Sequence, residues 1–553
     1  MARITQFRQV RRIAALVLFS VLALSSCTRI GSQGGGSGLQ AWTMPGTLRW
    51  ADGEDLDNLN PLLSTQTLVN DLSAFTMGYF FVFDDRNRPV PSLALAVPTR
   101  ENGGISRDGR SLTFRLRRGV VWHDGAPFSS ADVAFTVAKI LDPKTNVLTR
   151  RGWEEIERVD TPNPYTAVFR LRRPYAPFLN VFFTPVGNPA ILPKHLLDHV
   201  ADINKAPYNA LPVGLGPFKY VRWDRGSQVV MEAFDRWWGG KPKLQRVIFK
   251  VIPDANTDLA QLRSHELDAY VRAPNYQAPQ LADIAGVKTI EYDTTSFGHF
   301  DFNVTSPLLS DARVRQALIY GADLDTMWDK VDHRIGRREW TPISHLSWAY
   351  DSDVPRYPFD LAKAAALLDQ AGWSMGADGL RHKGDLTMRL KIVGNVGNLG
   401  LDARVLILQN AYKKLGVALE YFRYPTNTLF AGYAAGGIIA TRKYDIASYA
   451  WGLAPEPDLQ NQYTCGKISP KGLNYLGYCN HEFDALVEDS LRNYERARRR
   501  RDLIAAQEMM MRDAPFMVIS QRRDRLAMNG DLRGPKPGPS MIFWNVQDWS
   551  MGR

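Results

Sequence analysis

From Thr47 onward the chain alternates between two hydrophobic rhythms, one of period two and one near 3.6. Thr113-Phe114-Arg115-Leu116-Arg117 interleaves apolar and polar residues, which predicts a strand with Phe114 and Leu116 on one face. Ser129-Ser130-Ala131-Asp132 then precedes the apolar Val133-Ala134-Phe135, a Ser cap with an acid three residues on, as at a helix start. A second helix is predicted after Phe359, with Asp360 as its cap and Gly372 as its end. Repeated exchange of strand and helix patterns predicts a mixed α/β chain. No repeat of solenoid period is visible. The N-terminal stretch follows neither rhythm. Arg3, Arg8, Arg11 and Arg12 precede an almost wholly apolar Ile13 to Ala23, too short to span a hydrocarbon core as a helix. This is the layout of a secretory signal.

The leader continues into Leu24-Ser25-Ser26-Cys27, which resembles the lipobox of bacterial lipoproteins, where the Cys becomes the lipidated first residue. The expectation is therefore a signal peptide over 1–26, lipidation at Cys27, and an extracytoplasmic body in the periplasm or on the outer face of the cytoplasmic membrane. Residues 27–46 read as a tether, because Gly31-Ser32-Gln33-Gly34-Gly35-Gly36-Ser37-Gly38 has no apolar face to bury. No later run is apolar enough to enter a membrane.

The full sequence has 553 residues, more than one hydrophobic core usually supports, so several lobes are expected. A formal charge of +11 falls to about +7 once the four leader arginines are removed. The remaining excess is dispersed, which argues against nucleic acid as a partner. The Arg498–Arg501 run reads as a solvated helix face. Cys465 and Cys479 are the two cysteines besides Cys27. In an oxidising compartment a disulfide between them is expected, closing a turn-rich loop and contributing roughly 3 kcal/mol at most. Two buried free thiols are the alternative, and a metal site is disfavoured because His481 leaves a tetrahedral set one ligand short.

The segment Thr113 to Val133, TFRLRRGVVWHDGAPFSSADV, resembles the F-x-L-R-x-G-V-x-W-x-D-G-x-P-F-T-A-x-D-V signature of the peptide- and nickel-type solute-binding proteins, receptors of ABC importers. Four further stretches are similar to motifs of that family, in the same order: Pro212 to Phe218, Trp237 to Pro242, Phe302-Asn303 with Asp311 to Leu318, and Asn480 to Leu486. The resemblance implies an α/β fold of the type II periplasmic-binding-protein kind, in its large three-lobed (cluster C) form. It implies a discontinuous lobe I (47–90, 211–300 and 516–553), an extra lobe II (91–210), and a closing lobe III (301–515). The hinge would lie at two crossings, near 300 and 516–522, with the ligand cleft between the two main lobes. His123 and Asp124 are not read as a catalytic pair, since neighbours on a strand point to opposite faces.

The same resemblance places Thr65, Gln66 and Thr67 on one wall of the cleft, after Leu59-Asn60-Pro61. Tyr270, Val271 and Arg272 are placed on another wall, after a helix end in which His265 replaces the family's Gly. The strand Tyr449-Ala450-Trp451-Gly452, with Leu453, is placed on the closing wall. Trp451 would supply a stacking surface and Gly452 a close approach to backbone. Where peptide receptors carry an Asp against the ligand's free amine, Leu453 stands near that position, and a buried ammonium without a counter-charge is costly. Glu456 or Asp458 could substitute only if their loop turns back into the cleft. The implied function is capture of a peptide or peptide-like polar ligand by a monomeric, lipid-anchored receptor that delivers it to an ABC permease, with no cofactor, catalytic residue or metal. The alternatives are another solute, such as an oligosaccharide or metal chelate, or a sensor or scavenging receptor. A secreted hydrolase is disfavoured: no G-x-S-x-G, H-E-x-x-H or P-loop pattern occurs.

Overall fold

A single sheet of ten strands runs through the molecule and positions everything else. The computed structural model describes residues 38–552 apart from 54, 55, 65 and 188; the leader, Cys27 and Thr65 lie outside the described residues. The strands are β1 (Thr47–Asp52), β2 (Phe218–Asp224), β3 (Gln228–Ala233), β4 (Arg246–Val251), β5 (Ala269–Tyr270), β6 (Val287–Phe302), β7 (Arg389–Asn395), β8 (Ala418–Tyr424), β9 (Ile446–Gly452) and β10 (Phe516–Asn529). Their order across the sheet is β8-β7-β9-β6-β10-β5-β1-β4-β3-β2. β1 pairs in parallel with β4 and β5, β7 in parallel with β8 and β9, and β6 antiparallel with both β9 and β10. This is the mixed α/β architecture that the pattern predicts.

β6 and β10 are the two long strands that join the halves. Their ladder is regular from Val287↔Asn529 to Asp293↔Arg523 and resumes at Phe297↔Gln521. Between these points Thr294, Thr295 and Ser296 stand opposite Arg522 alone, a bulge that bends the strand and lifts these residues out of the ladder. Thr294 Oγ1 donates to the Arg522 carbonyl at 3.0 Å.

Separate apolar cores flank this crossing. Around β1, Trp50 is fully buried and packs against Phe75, Phe249 and Phe543. A second core, drawn mostly from residues 80–206, centres on Phe80, Phe114, Phe169 and Trp153. It is built on a three-stranded antiparallel sheet, Ser111–Arg115 with Thr166–Leu171 and Ile156–Asn163. Phe114 and Leu116 are both buried as period two predicts, although Leu116 lies just past the strand, in an isolated bridge to Ala94. Ser129 and Asp132 form a reciprocal capping box on the helix Ser130–Leu141, worth about 1 kcal/mol. Asp360 caps Leu361–Gln370. Further cores fill the 300–518 region, around Leu390 and Leu408 and around Phe483 and Met510.

Two expectations are corrected. Trp42 to Gly46, read as part of the tether, are docked: the Trp42 ring stacks on His265 at 4.4 Å, Thr43 Oγ1 donates to Asp531 at 2.7 Å, and Gly46 N–H donates to Met551 O at 3.1 Å. An indole and a strand edge give this stretch partners that the Gly-rich part lacks. Nor is the Arg498–Arg501 run uniformly solvated. Arg498, Arg500 and Arg501 are exposed, whereas Arg499 is buried and pairs with Glu456 at 2.9 Å.

The Pro212 to Phe218 turn has a steric reason. A Cβ on Gly214 would lie 1.9 Å from the Thr76 carbonyl oxygen, and one on Gly216 would lie 2.5 Å from that of Phe75. The turn also receives His123, whose Nδ1 accepts from Gly214 N–H at 3.1 Å while Nε2 faces Gly216 O at 3.0 Å. That pattern requires the neutral tautomer with its proton on Nε2. Burial lowers the His123 pKa to about 4. Asp124 turns elsewhere, to His195 Nε2 at 2.7 Å. The two residues lie in a turn, not a strand, and they serve different partners.

Candidate ligand cleft

Below the β6 bulge lies a cavity of about 450 Å³, within the range of small-ligand sites. Three parts of the chain wall it. The first contributes Thr67, Asn70 and Asp71 from the helix Thr67–Thr76, then Arg272, Tyr292, the bulge residues, Asp524 and the loop 538–542. Thr67 and Asp71 stand four apart and so share a helix face. The second contributes Arg151, Trp153, Tyr175 and Asn180, and the third Gly452, Leu453, Ala454, Asp458 and Gln462.

The cleft is charged, but its charges are mostly answered within the wall. Arg272 reaches Asp52 at 2.5 Å and Asp71 at 2.6 Å. Burial alone would lower its pKa, but the two carboxylates, Asp71 foremost, outweigh this and raise it. Arg272 has a left-handed backbone, φ +53°, a conformation uncommon for a residue with a Cβ. The double ion pair gives it a reason to persist. Across the cavity Arg151 pairs with Asp458, and the Asn180 amide bridges Glu456, accepting from its N–H at 3.0 Å and donating to its carbonyl. Close by, Asp258 is buried, and its pKa is raised to about 8 by burial and then by Asp52 and Asp254.

The sequence-derived candidates divide by geometry. Thr67, Arg272, Gly452 and Leu453 line the cavity. Gln66 is half-buried, and its Oε1 accepts from Asp57 N–H at 2.9 Å. Tyr270 and Val271, the latter just past the strand, belong to two different cores. Tyr449 donates its hydroxyl to Asp301 and meets His299 edge-on. Ala450 is exposed outside the cavity. Trp451 is half-buried and packs edge-on against Tyr449 and Tyr475, away from the cavity. Strand alternation explains this: with Gly452 on the cleft side of β9, Trp451 must take the other face. A Cβ on Gly452 would meet Ser296 Oγ at 3.3 Å, so the small residue keeps the strand close to the bulge.

Asp71, Arg151, Tyr292 and Asp524 are not among the candidates. Asp458, a conditional one, does reach the cavity, paired with Arg151, whereas Glu456 pairs with Arg499 instead. Asp71 carried a signal, a lone acid within the apolar helix Thr67–Thr76. Arg151 and Asp458 meet from positions far apart in sequence, so their pairing left no local trace. Elsewhere, the sulfurs of Cys465 and Cys479 lie 2.12 Å apart, at bonding distance. His481 brings a third potential metal-ligand atom within 4.8 Å of them.

A mixed sheet crossed by two long strands, with a polar cleft beneath the crossing, is shared with binding proteins of the type II fold. Residues 88–470 match the model of the bacterial extracellular solute-binding proteins, family 5, and the chain belongs to that family. It is 28% identical over 502 residues to the oligopeptide-binding protein AppA of Bacillus subtilis, covering 89% of each chain. It is 26% identical to the dipeptide-binding protein of Escherichia coli, covering 83% of this chain and 84% of that one. The structure of B. subtilis AppA with a nonapeptide superposes with a TM-score of 0.78 at 26% identity, and NikZ of Campylobacter jejuni with Ni(L-His) with 0.79 at 25%. Both cover 92% of this chain and 100% of the other.

Proposed function

We propose that this protein is the peptide-capturing receptor of an ABC importer, that it closes around its ligand by bending at the β6/β10 bulge, and that it has no enzymatic role. The observation that carries the reading is the position of the cavity. It lies under the only place where the β6/β10 ladder is interrupted by several residues, between segments with separate cores. Thr294 to Ser296 and Gly452 to Ala454 line the cavity there. Ser296 pairs with Gly452, and Leu453 N–H donates to Thr295 O at 3.4 Å, so an extended peptide would pair with the main-chain groups these contacts leave over. The names of the relatives, oligopeptide- and dipeptide-binding proteins, favour the same ligand class. The cores around Trp50, around Phe114 and around Leu390 correspond, in this reading, to lobes I, II and III. Small-angle scattering tests it: stripped protein should contract when a mixture of short peptides is added. An unchanged radius of gyration at saturation would contradict closure.

The receptor is held at the membrane by lipid on Cys27 and works as a monomer, with Cys465 and Cys479 disulfide-bonded. Among the described residues no helix is long and apolar enough to cross a membrane, so retention would depend on the anchor. Cys27→Ala should move the protein from the membrane to the soluble fraction. Continued membrane association of that variant would remove the lipid anchor from the account.

A further inference from the structure

Three carboxylates line the cleft, and they are not equivalent. Asp71 is committed to Arg272, which it shares with Asp52 outside the cavity lining, and Asp458 is committed to Arg151. Both arginines line the cavity, so each of these two lining carboxylates has a lining cation against it. Asp524 differs. Its ion pair is with Arg522 at 3.2 Å, two residues away on the same strand, and the Arg522 side chain is 50% exposed and is not part of the cavity wall. Solvent around Arg522 weakens that pairing. The wall therefore keeps an excess negative charge at Asp524.

Beside it stands an unanswered hydroxyl. Tyr292 on β6 is the direct cross-strand partner of Asp524 on β10. Tyr292 is 7% exposed, lines the cavity, and has a hydroxyl oxygen without a hydrogen-bond partner. A buried polar group left in this state is costly, by about 1–3 kcal/mol. Burial, followed by the charge of Asp524, holds the phenol well above its ordinary pKa. It therefore remains a neutral group with lone pairs to offer. Leu453 and Ala454 on the closing wall provide no charge.

Resting on the peptide reading above, we infer that Asp524 and Tyr292 form the subsite for the ligand's cationic amine, the ammonium donating to the Asp524 carboxylate and to the Tyr292 hydroxyl oxygen. Each partner lacks what the other supplies. A ligand carboxylate in the same place would face Asp524 and be repelled, so the ligand's orientation is set. The amine is thereby read from the β6/β10 crossing rather than from the Leu453 wall.

The test is calorimetric titration of the purified full-length protein, stripped of ligand, with a random tri- to hexapeptide mixture, either free or N-acetylated. Wild type should prefer the free mixture at least tenfold. Asp524→Asn should abolish the preference, and Tyr292→Phe should reduce it about threefold. Equal affinity of wild type for both mixtures overturns the inference while leaving the peptide reading intact. Binding of neither mixture refutes the peptide reading and this inference with it. If Asp524→Asn melts well below wild type, Tyr292→Phe decides, and an undiminished preference in that variant overturns the inference.

Discussion

The segment 91–210 meets the rest of the molecule along two seams built on different principles. Towards residues 56–90 and 211–218 the contact is backbone and core. Phe80 N–H donates to Phe183 O at 2.8 Å, Ile191 N–H to Gly78 O at 3.1 Å, and Leu59 N–H to Asn209 O at 2.9 Å. One apolar core includes Leu62, Phe80, Phe114 and Leu215. Towards residues 456–494 the contacts are made through side chains: Arg151 with Asp458, Asn180 with Glu456, Arg173 with Glu488 at 3.3 Å, and Arg492 with Glu155 at 3.2 Å. At the far end the Tyr494 ring meets Phe178, and its hydroxyl accepts from Tyr175 N–H and donates to Gly109 O, both at 3.1 Å. Water can replace such partners when the seam opens, whereas opening the first would expose a core and unpaired peptide groups. The first seam is thus fixed and the second releasable, and the cavity lies beside the releasable one.

The largest test of this contrast is at His123, which locks into the fixed seam as a neutral ring. Its folded pKa is near 4, below the ordinary unfolded value of about 6.5. The folded state thus binds fewer protons. This contribution is fully present above pH 6.5 and is lost as pH falls towards 4, a difference of about 3 kcal/mol. Denaturant unfolding of wild type should show that slope, and His123→Gln should lack it. An identical pH slope in both would show that the ring carries no such role.

Arg272→Met should follow in size. It leaves Asp52 and Asp71 facing each other without a cation, at a cost of about 2–3 kcal/mol in unfolding free energy, because the partly exposed pair is discounted from a fully buried one. A loss under 0.5 kcal/mol (about the level of a surface substitution) would show that solvent screens this wall. Arg151→Met should be smallest. The stranded Asp458 can regain water by opening, so stability should change by less than about 1 kcal/mol, while the ligand-free radius of gyration grows. A loss as large as that of Arg272→Met, with no change in radius, would place Arg151 in a fixed seam and break the comparison.

Much of the fold was legible because its motifs are steric. Gly214 and Gly216 face peptide carbonyls, Ser129 and Asp132 cap a helix, and Phe114 and Leu116 alternate into a core, all local facts that a local pattern can carry. The cleft was only partly legible. Thr67, Arg272, Gly452 and Leu453 follow from aligned walls. Trp451 belongs to the same aligned strand as Gly452, but alternation places it on the opposite face of β9. The Tyr292 and Asp524 pair was invisible for a different reason. Cross-strand register between residues 232 positions apart arises only when β6 and β10 pair, and nothing in either segment alone announces it. His265 shows a substitution with a local structural answer: it occupies a left-handed position, φ +65°, that favours Gly, and the stacked Trp42 gives the larger ring a contact that Gly could not make.

The central claim, that the cleft beside the releasable seam carries peptides, is tested most directly by mass spectrometry of the small molecules released when the natively purified protein is denatured. The account predicts short peptides, close to one per protein molecule. A single non-peptide compound released at that stoichiometry would contradict it.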